Sequence, residues 1–230
     1  MIVVALLLAS VGAADLVRRP AGGRLRTLEL PFLMALAVYV LGGAMLGLER
    51  SGIWTLLPAM AIVMLWLTSQ RRQGVWGPLA LAAGLAVALL FGQHVPRTEA
   101  PIGSWYADLE IPAIETLDLD TAVLGLGVVL FLLQSANVVV RAVLRRAGPA
   151  VLDEERELQG GRILGPIERV FIFAMALAGQ YAAVAAVMAA KGVLRFPEIS
   201  RDPGDGTRAE YVLVGSFVSW ALAFATVPFF

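Results

Sequence analysis

Apolar stretches close to the length that carries an α-helix across a bilayer recur along this chain. They run from Ile2 to Val17, Leu30 to Leu48, Ile53 to Thr68, Val75 to Phe91 and Thr121 to Val140, with a sixth opening near Leu164 and the last at about Tyr211 to Phe229. A crossing helix needs roughly 20 apolar residues, with a range of about 17 to 25. Inside hydrocarbon every backbone polar group must be bonded within its own structure, which leaves helices or a closed barrel. Continuous apolar runs lack the alternation of barrel strands. An apolar content of 59% and a mean hydropathy of +0.78 exceed what a soluble domain of 230 residues carries. The expected fold class is therefore all-α, a polytopic transmembrane helical bundle.

The region from Leu164 to Phe196 stays apolar for too long to be one crossing, because at the fixed helical rise it would overshoot the bilayer. A break at Gly179-Gln180 resolves this into one span to Gly179 and a short one from Tyr181 to Arg195. Seven or eight membrane segments follow, with a broken or re-entrant region near Gly179-Gln180. Charge placement supports the break, because basic residues concentrate in cytoplasmic loops. With the N-terminus outside, fifteen of the eighteen basic residues fall on the cytoplasmic side. They are Arg18, Arg19, Arg24 and Arg26, then Arg71 and Arg72, then Arg141, Arg145, Arg146, Arg156 and Arg162, and finally Lys191, Arg195, Arg201 and Arg208. Arg50 and Arg97 fall outside and Arg169 within a span. The arginines follow the first apolar stretch instead of preceding it, which fits a signal anchor better than a cleaved leader. A cell membrane location is expected, and the resemblance described below implies the bacterial inner membrane.

The chain reads as a single integral membrane domain, with a four-helix N-terminal part over 1–92 and a C-terminal helical part over 121–230. Between them, residues 93–120 form an acidic external loop. It carries Glu99, Asp108, Glu110, Glu115, Asp118 and Asp120 against Arg97, and Pro96, Pro101, Pro112, Trp105 and Tyr106 predict an ordered segment at the interface. The cytoplasmic loop from Arg141 to Arg162 begins basic and turns acidic at Asp153-Glu154-Glu155-Arg156-Glu157.

Several function classes are excluded early. The chain has no cysteine, so disulfides, thiolate metal sites and cysteine nucleophiles are absent, and His94 as its sole histidine argues against zinc. A formal net charge of zero gives no basic field for nucleic acid. Asp202-Pro203-Gly204-Asp205-Gly206 resembles the opening of the metal motif of phosphatidyl-alcohol transferases. No further aspartates follow at helical spacing, so a turn explains it better. Glu154-Glu155 lies in a polar loop and lacks the intramembrane histidine of a membrane-embedded glutamate protease. No catalytic residue, metal or cofactor is assigned, and an enzyme is the least supported class.

Polar side chains at membrane depth are costly and become candidates by default. Gln134, Asn137 and Arg141 share one face of the fifth helix, by their spacing of three and four. Glu168 and Arg169 lie about a turn into the sixth, Gln180 at the break, Lys191 and Arg195 on one face of the short seventh, and Glu210 at the start of the last. All of these except Gln180 are expected to converge in one cytoplasmic-side layer. The functional reading is a pocket for a small anion or an anionic lipid head group, with Lys191 and Arg195 as ligands, Glu168 tuning them, and Gln134 and Asn137 supplying hydrogen bonds. The plainer reading, which is favoured, pairs Glu168 with Lys191 or Arg169 and lets the amides bond across helices. Asp15 is expected to pair with Arg18 and Arg19.

Small residues mark close packing. Gly43 and Gly47 form a G-x-x-x-G, and Ala178, Ala182, Ala186 and Ala190 repeat every four residues, predicting a seventh helix packed inside the bundle. Intramolecular packing through Gly43 and Gly47 is favoured over a homo-oligomer.

Residues of about 160–220 resemble a family of bacterial multi-pass membrane proteins of uncharacterised activity, a domain of unknown function. The resemblance rests on Gly161-Arg162, Gly165, Glu168-Arg169, Gly179-Gln180, Ala189-Ala190-Lys191, Arg195-Phe196, Glu198, Glu210-Tyr211, Gly215 and Ser219. The N-terminal half departs from it, since Asp15 alone stands where the family's first helix carries a histidine and an aspartate. It implies a membrane bundle and no substrate. Two functions are carried forward: transport or binding of a small anionic solute or lipid head group, and a non-catalytic module that binds a membrane protein partner.

Overall fold

The computed structural model describes residues 1–18, 26–109, 111, 117–147, 161–200 and 207–230, and their regular structure is helical. Among the described residues, five stretches are long and apolar enough to cross a membrane: Leu28–Met45, Arg50–Arg71, Trp76–His94, Leu119–Arg146 and Val212–Phe229. Ile2–Val17 and Tyr181–Leu194 are shorter apolar helices. The chain divides into two compact units, Met1–Ser135 and Ala136–Phe230, so the division falls inside the expected fifth span and not in the external loop.

In the first unit, α1 (Ile2–Val17) is the central element, with almost every residue from Ile2 to Ala14 buried. It packs against α2 (Arg26–Met45) and α6 (Leu119–Leu130). The approach to α6 is close because two glycines face the partner backbone. A Cβ on Gly12 would lie 2.7 Å from the Leu130 carbonyl carbon, and one on Gly127 would lie 2.7 Å from the Ala5 carbonyl oxygen. Helices α3 (Leu56–Arg71) and α4 (Trp76–Phe91) form a hairpin. It turns through Gln73 in the left-handed region, and the Ser69 hydroxyl donates to the Gly74 carbonyl at 2.8 Å.

After α2 the chain leaves the helix, so the second glycine of Gly43-x-x-x-Gly47 is a turn residue and not part of a helical stripe. Gly47 has φ +76, and a Cβ there would overlap the Thr98 carbonyl oxygen. Gly43 faces Leu48 and Leu6 within the unit, which corrects the reading of the pair as one helix-contact motif. The turn is held by the loop after α4. Thr98 N–H donates to Gly47 O at 2.8 Å, Glu49 N–H to Pro96 O at 3.2 Å and Ile102 N–H to Met45 O at 3.2 Å. The expected external loop is thus ordered over its first part. It contains the short helix α5 (Gly103–Ala107) and an Arg97–Asp120 ion pair at 2.6 Å, with the Tyr106 hydroxyl donating to Leu117 O at 2.9 Å. Glu110, Pro112 and Glu115 lie outside the described residues.

Asp118 caps α6 by accepting from Thr121 N–H at 3.1 Å and from its hydroxyl at 2.5 Å. Those bonds hold the exposed carboxyl below the usual carboxylate range. At Phe131–Ser135 the helix widens into a π segment before α7 (Ala136–Ala147). Such insertions redirect the side chains that follow and are frequent at functional sites.

The second unit contains α7, α8 (Gly161–Leu177), α9 (Tyr181–Ser200) and α10 (Thr207–Ala225). Its core centres on Ile172, Val184 and Ala223, with Met175, Met188, Trp220 and Phe224 against them. The expected break is present. Gly179 has φ +69, its N–H donates to Ala176 O at 3.0 Å, and Gln180 N–H donates to Met175 O at 2.8 Å. This six-to-one closure ends α8 in the left-handed conformation that glycine adopts without steric cost. Beyond it, α9 runs on to Ser200, past the end expected at Arg195. The alanine repeat does not pack inside the unit: Ala178, Ala182, Ala186 and Ala190 are all exposed, and Val184 is the buried apolar anchor of α9. The acidic run Asp153–Glu157 and the Asp202–Gly206 turn lie outside the described residues.

Candidate functional site

Two polar centres are built among the apolar helices. The larger lies in the second unit, where α8 brings Glu168 and Arg169 to adjacent positions that point to different neighbours. Glu168 accepts from Lys191 Nζ on α9 at 2.6 Å and from Trp220 Nε1 on α10 at 2.7 Å, one donor on each carboxylate oxygen. The Lys191 ammonium also sits 5.4 Å from the centre of the Trp220 ring, within range of a cation–π attraction. One tryptophan therefore holds the anion through its N–H and the cation through its face. Phe217 stacks edge-on against Trp220 at 5.8 Å.

Arg169 is 2% exposed, and no arginine of this chain could be left so deep without partners. Its Nη1 donates to Ser219 Oγ at 3.1 Å and its Nη2 to Asn137 Oδ1 at 2.7 Å, which ties α8 to α10 and α7. Gly165, one turn back, leaves room for this guanidinium, with an added Cβ 3.7 Å from Nη1.

The two ends of the ion pair differ in access. The Glu168 side chain is 6% exposed and that of Lys191 is 17% exposed. An ammonium has three N–H donors. Among the described residues, one of the three has an acceptor, Glu168 Oε2.

Of the residues singled out in the sequence, Asn137, Glu168, Arg169 and Lys191 are thus brought together. Gln134 belongs to the first unit and is exposed. Gln180 lies exposed on the hairpin turn, about 18 Å along the helix from Glu168 at 1.5 Å per residue. Glu210 is exposed in the first turn of α10, nine residues before Ser219. The Arg195 side chain lies outside the described residues. Glu210 is therefore set apart from the Glu168–Lys191 pair by the rise of its helix, and Gln180 stands at the break, where it was expected. Trp220 is a site member that polarity screening passed over, because tryptophan in an apolar helix reads as packing, while Ser219 entered only through the family resemblance. Their position nine and ten residues from Glu210 offered no pattern either.

The second centre is in the first unit. Asp15, at the end of α1, accepts from Trp66 Nε1 at 2.9 Å, Gln70 Nε2 at 2.9 Å and Ser135 Oγ at 2.6 Å. The first two donors are one turn apart on α3 and the third closes the π segment. The expected pairing is present in part, since the Asp15 charge acts on Arg18, while its three hydrogen bonds come from other helices and Arg19 lies outside the described residues. Among the described residues no group of three or more histidine, cysteine or carboxylate side chains could hold a metal ion. No protein-family model, curated protein or solved structure matches the chain.

Proposed function

We propose that this chain is a multi-pass protein of the bacterial cell membrane, with its N-terminus outside and seven or eight crossings. Its C-terminal helices take an anionic group, a small anion or a lipid head group, on Lys191. The observation that carries this reading is the Glu168–Lys191 ion pair set among apolar helices, with the buried Arg169 beside it. Intramembrane charge is expensive and marks ligand or ion pathways. Glu168 occupies Lys191 in the absence of that anion, and Arg169, tied to Asn137 and Ser219, holds the layer in place. Lys191 lies ten residues from Tyr181 and Glu168 nine from Leu177, or about 14–15 Å from the hairpin tip. If the tip marks one edge of a hydrocarbon core of about 30 Å, the pair sits near mid-height, where transporter sites are found.

A second reading keeps the network purely structural and makes the protein an anchoring module for a membrane protein partner or a second copy. It draws on the exposed alanines of α9, the kind of surface on which membrane helices pack.

Tryptophan emission separates the two, because Trp220 touches both charges. Titration of the purified protein with inorganic phosphate, or with phosphatidylglycerol in mixed micelles, is expected to change the emission in a saturable way that Lys191→Met abolishes and Trp220→Phe diminishes. A response to neither anion, or one that survives Lys191→Met, rejects the anion site and leaves the anchoring module.

A further inference from the structure

Charge is divided between the two ends of the first unit. We infer that its basic end, where α1 stops beside the α3–α4 hairpin, binds the phosphate head group of an anionic lipid on Arg71 and Arg72, with Arg18 adding positive charge at the same level and Trp76 seated in the same layer. This surface is separate from Lys191 and stands whether or not that residue takes an anion.

Asp15 sets the level of the basic end. Its bonds from Trp66 and Gln70 tie the last turn of α1 to the last turns of α3, which brings Arg18, the residue after α1, beside Arg71. Asp15 attracts the Arg18 charge and Arg71 repels it, so two guanidinium groups share this end although like charges oppose it. Arg71 and Arg72 are exposed, and Arg72 N–H still bonds to Thr68 O at 3.1 Å, which keeps Arg72 in helical phase. The hairpin that carries them is tightly closed. A Cβ on Gly77 would lie 2.8 Å from Ser69 Cβ and 3.0 Å from Trp66 Cα, so α4 starts directly against α3. With Gly77 turned to α3, Trp76 is rotated by about 100° from that contact and is 73% exposed.

Each of these groups stands over an exposed apolar side chain on its own helix face. Met64 and Leu65 are exposed seven residues before Arg71 and Arg72, two turns down the same faces of α3, and Leu79 is exposed three residues beyond Trp76 on α4. Arg71 closes one stretch apolar enough to cross a membrane and Trp76 opens the next. Arginine and tryptophan therefore mark the depth where hydrocarbon gives way to head groups, the layer that suits an indole with an apolar body and a polar N–H. An amphiphile fits both parts of this surface, its chains on Met64, Leu65 and Leu79 and its phosphate on the arginines. The far end of the unit has a similar aromatic rim, Trp54 and Trp105, both exposed, and the opposite charge. Its described charged side chains are Glu49, Glu99, Asp108, Asp118 and Asp120 against Arg50 and Arg97, whereas the basic end sets Arg18, Arg71 and Arg72 against Asp15 and Glu29. An anionic head group is thus drawn to one rim and repelled from the other. A soluble phosphate presents the same oxygens, so the source has to be tested.

The experiment is tryptophan quenching of the full-length protein in nanodiscs of equal phosphatidylglycerol and phosphatidylcholine, with bromine on the acyl chains of one lipid or the other. The Trp76 share of the emission is the difference between wild type and Trp76→Phe, and Trp54→Phe gives the share of the acidic rim in the same way. Bromine on phosphatidylglycerol is expected to quench Trp76 as though that lipid were about fivefold enriched beside it, the ratio that one basic residue near the membrane surface supports. Trp54 should report no enrichment. The double variant Arg71→Gln, Arg72→Gln, which changes two exposed side chains, should abolish the enrichment at Trp76 while preserving the helical circular dichroism. Equal quenching of Trp76 by the two lipids, the same enrichment at Trp54, or enrichment that survives in the double variant overturns the inference. Loss of the enrichment in added inorganic phosphate, but not in sodium chloride of the same ionic strength, overturns the lipid source and gives the arginines to a soluble oxyanion.

Discussion

The two units solve the same problem, holding a carboxylate among apolar helices, in opposite ways. In the first, Asp15 is surrounded by an indole, an amide and a hydroxyl from α3 and the π segment, at the end of a helix buried from Val4 to Ala14 against close-packed neighbours. In the second, Glu168 is matched to a lysine and shares its layer with a buried arginine, while the apolar core is a small cluster around Ile172, Val184 and Ala223. Shape carries most of the first unit and charge carries much of the second. A unit held by packing is sensitive to volume. One held by a charge pair is sensitive to the loss of either partner.

The largest effect should come from removing one member of the pair. Glu168→Ala removes the carboxylate paired with Lys191, and breaking a buried pair from one side costs about 3–5 kcal/mol. Lys191→Ala added to it is expected to recover a large part of the loss, because the uncompensated charge is then reduced. Thermal unfolding in detergent micelles for the two single variants and the double variant gives the coupling directly. Additive losses would mean that the pair does not organise the second unit.

The matching perturbation of the first unit is one of volume. Gly127→Val drives a side chain against the Ala5 carbonyl oxygen and should destabilise by about 1–3 kcal/mol, the range for overpacking a filled interior. The same substitution at Gly192, where nothing lies within 4 Å, should be close to neutral in the same unfolding assay. Equal losses at both positions would erase the contrast between a tightly packed unit and an open one.

Much of this architecture can be read from one-dimensional pattern. Length and apolarity place the helices to within a turn or two, and the Gly179-Gln180 break follows from the reach of a helix against the bilayer. The Glu168–Lys191 pair is legible because both residues are charged in apolar segments that must lie side by side after a tight hairpin. Three things are not legible. Trp66 and Trp220 bond carboxylates through a single N–H on an otherwise apolar ring, which no hydropathy pattern records. The π segment at Phe131–Ser135 shifts helical phase, so Gln134 turns outward although its spacing to Asn137 promised a shared face. The alanine repeat of α9 fixes which residues are small and not whether a neighbour is there to meet them.

The smallest expected effect concerns a third carboxylate, Asp118, which like Asp15 is bonded to neutral donors but stands in an exposed loop. Thr121 bonds first, and the nearby backbone N–H groups after it, hold its carboxyl below the usual range, so the folded state binds its proton less readily than the unfolded chain. The sign follows: the cap's contribution is complete above the ordinary carboxylate range and is lost as pH falls through the lowered value. Amide exchange at Thr121, corrected for its intrinsic pH dependence, should therefore lose protection on going from about pH 5 to about pH 2–3, while the amides around Asp15 are not tied to this titration. Asp118→Asn keeps an acceptor at the cap and has no proton to gain, so its protection at Thr121 should be independent of pH over that window. Protection that falls with acid in the asparagine variant as well would place the pH response elsewhere in the first unit, with Asp15 and its three donors the next group to replace.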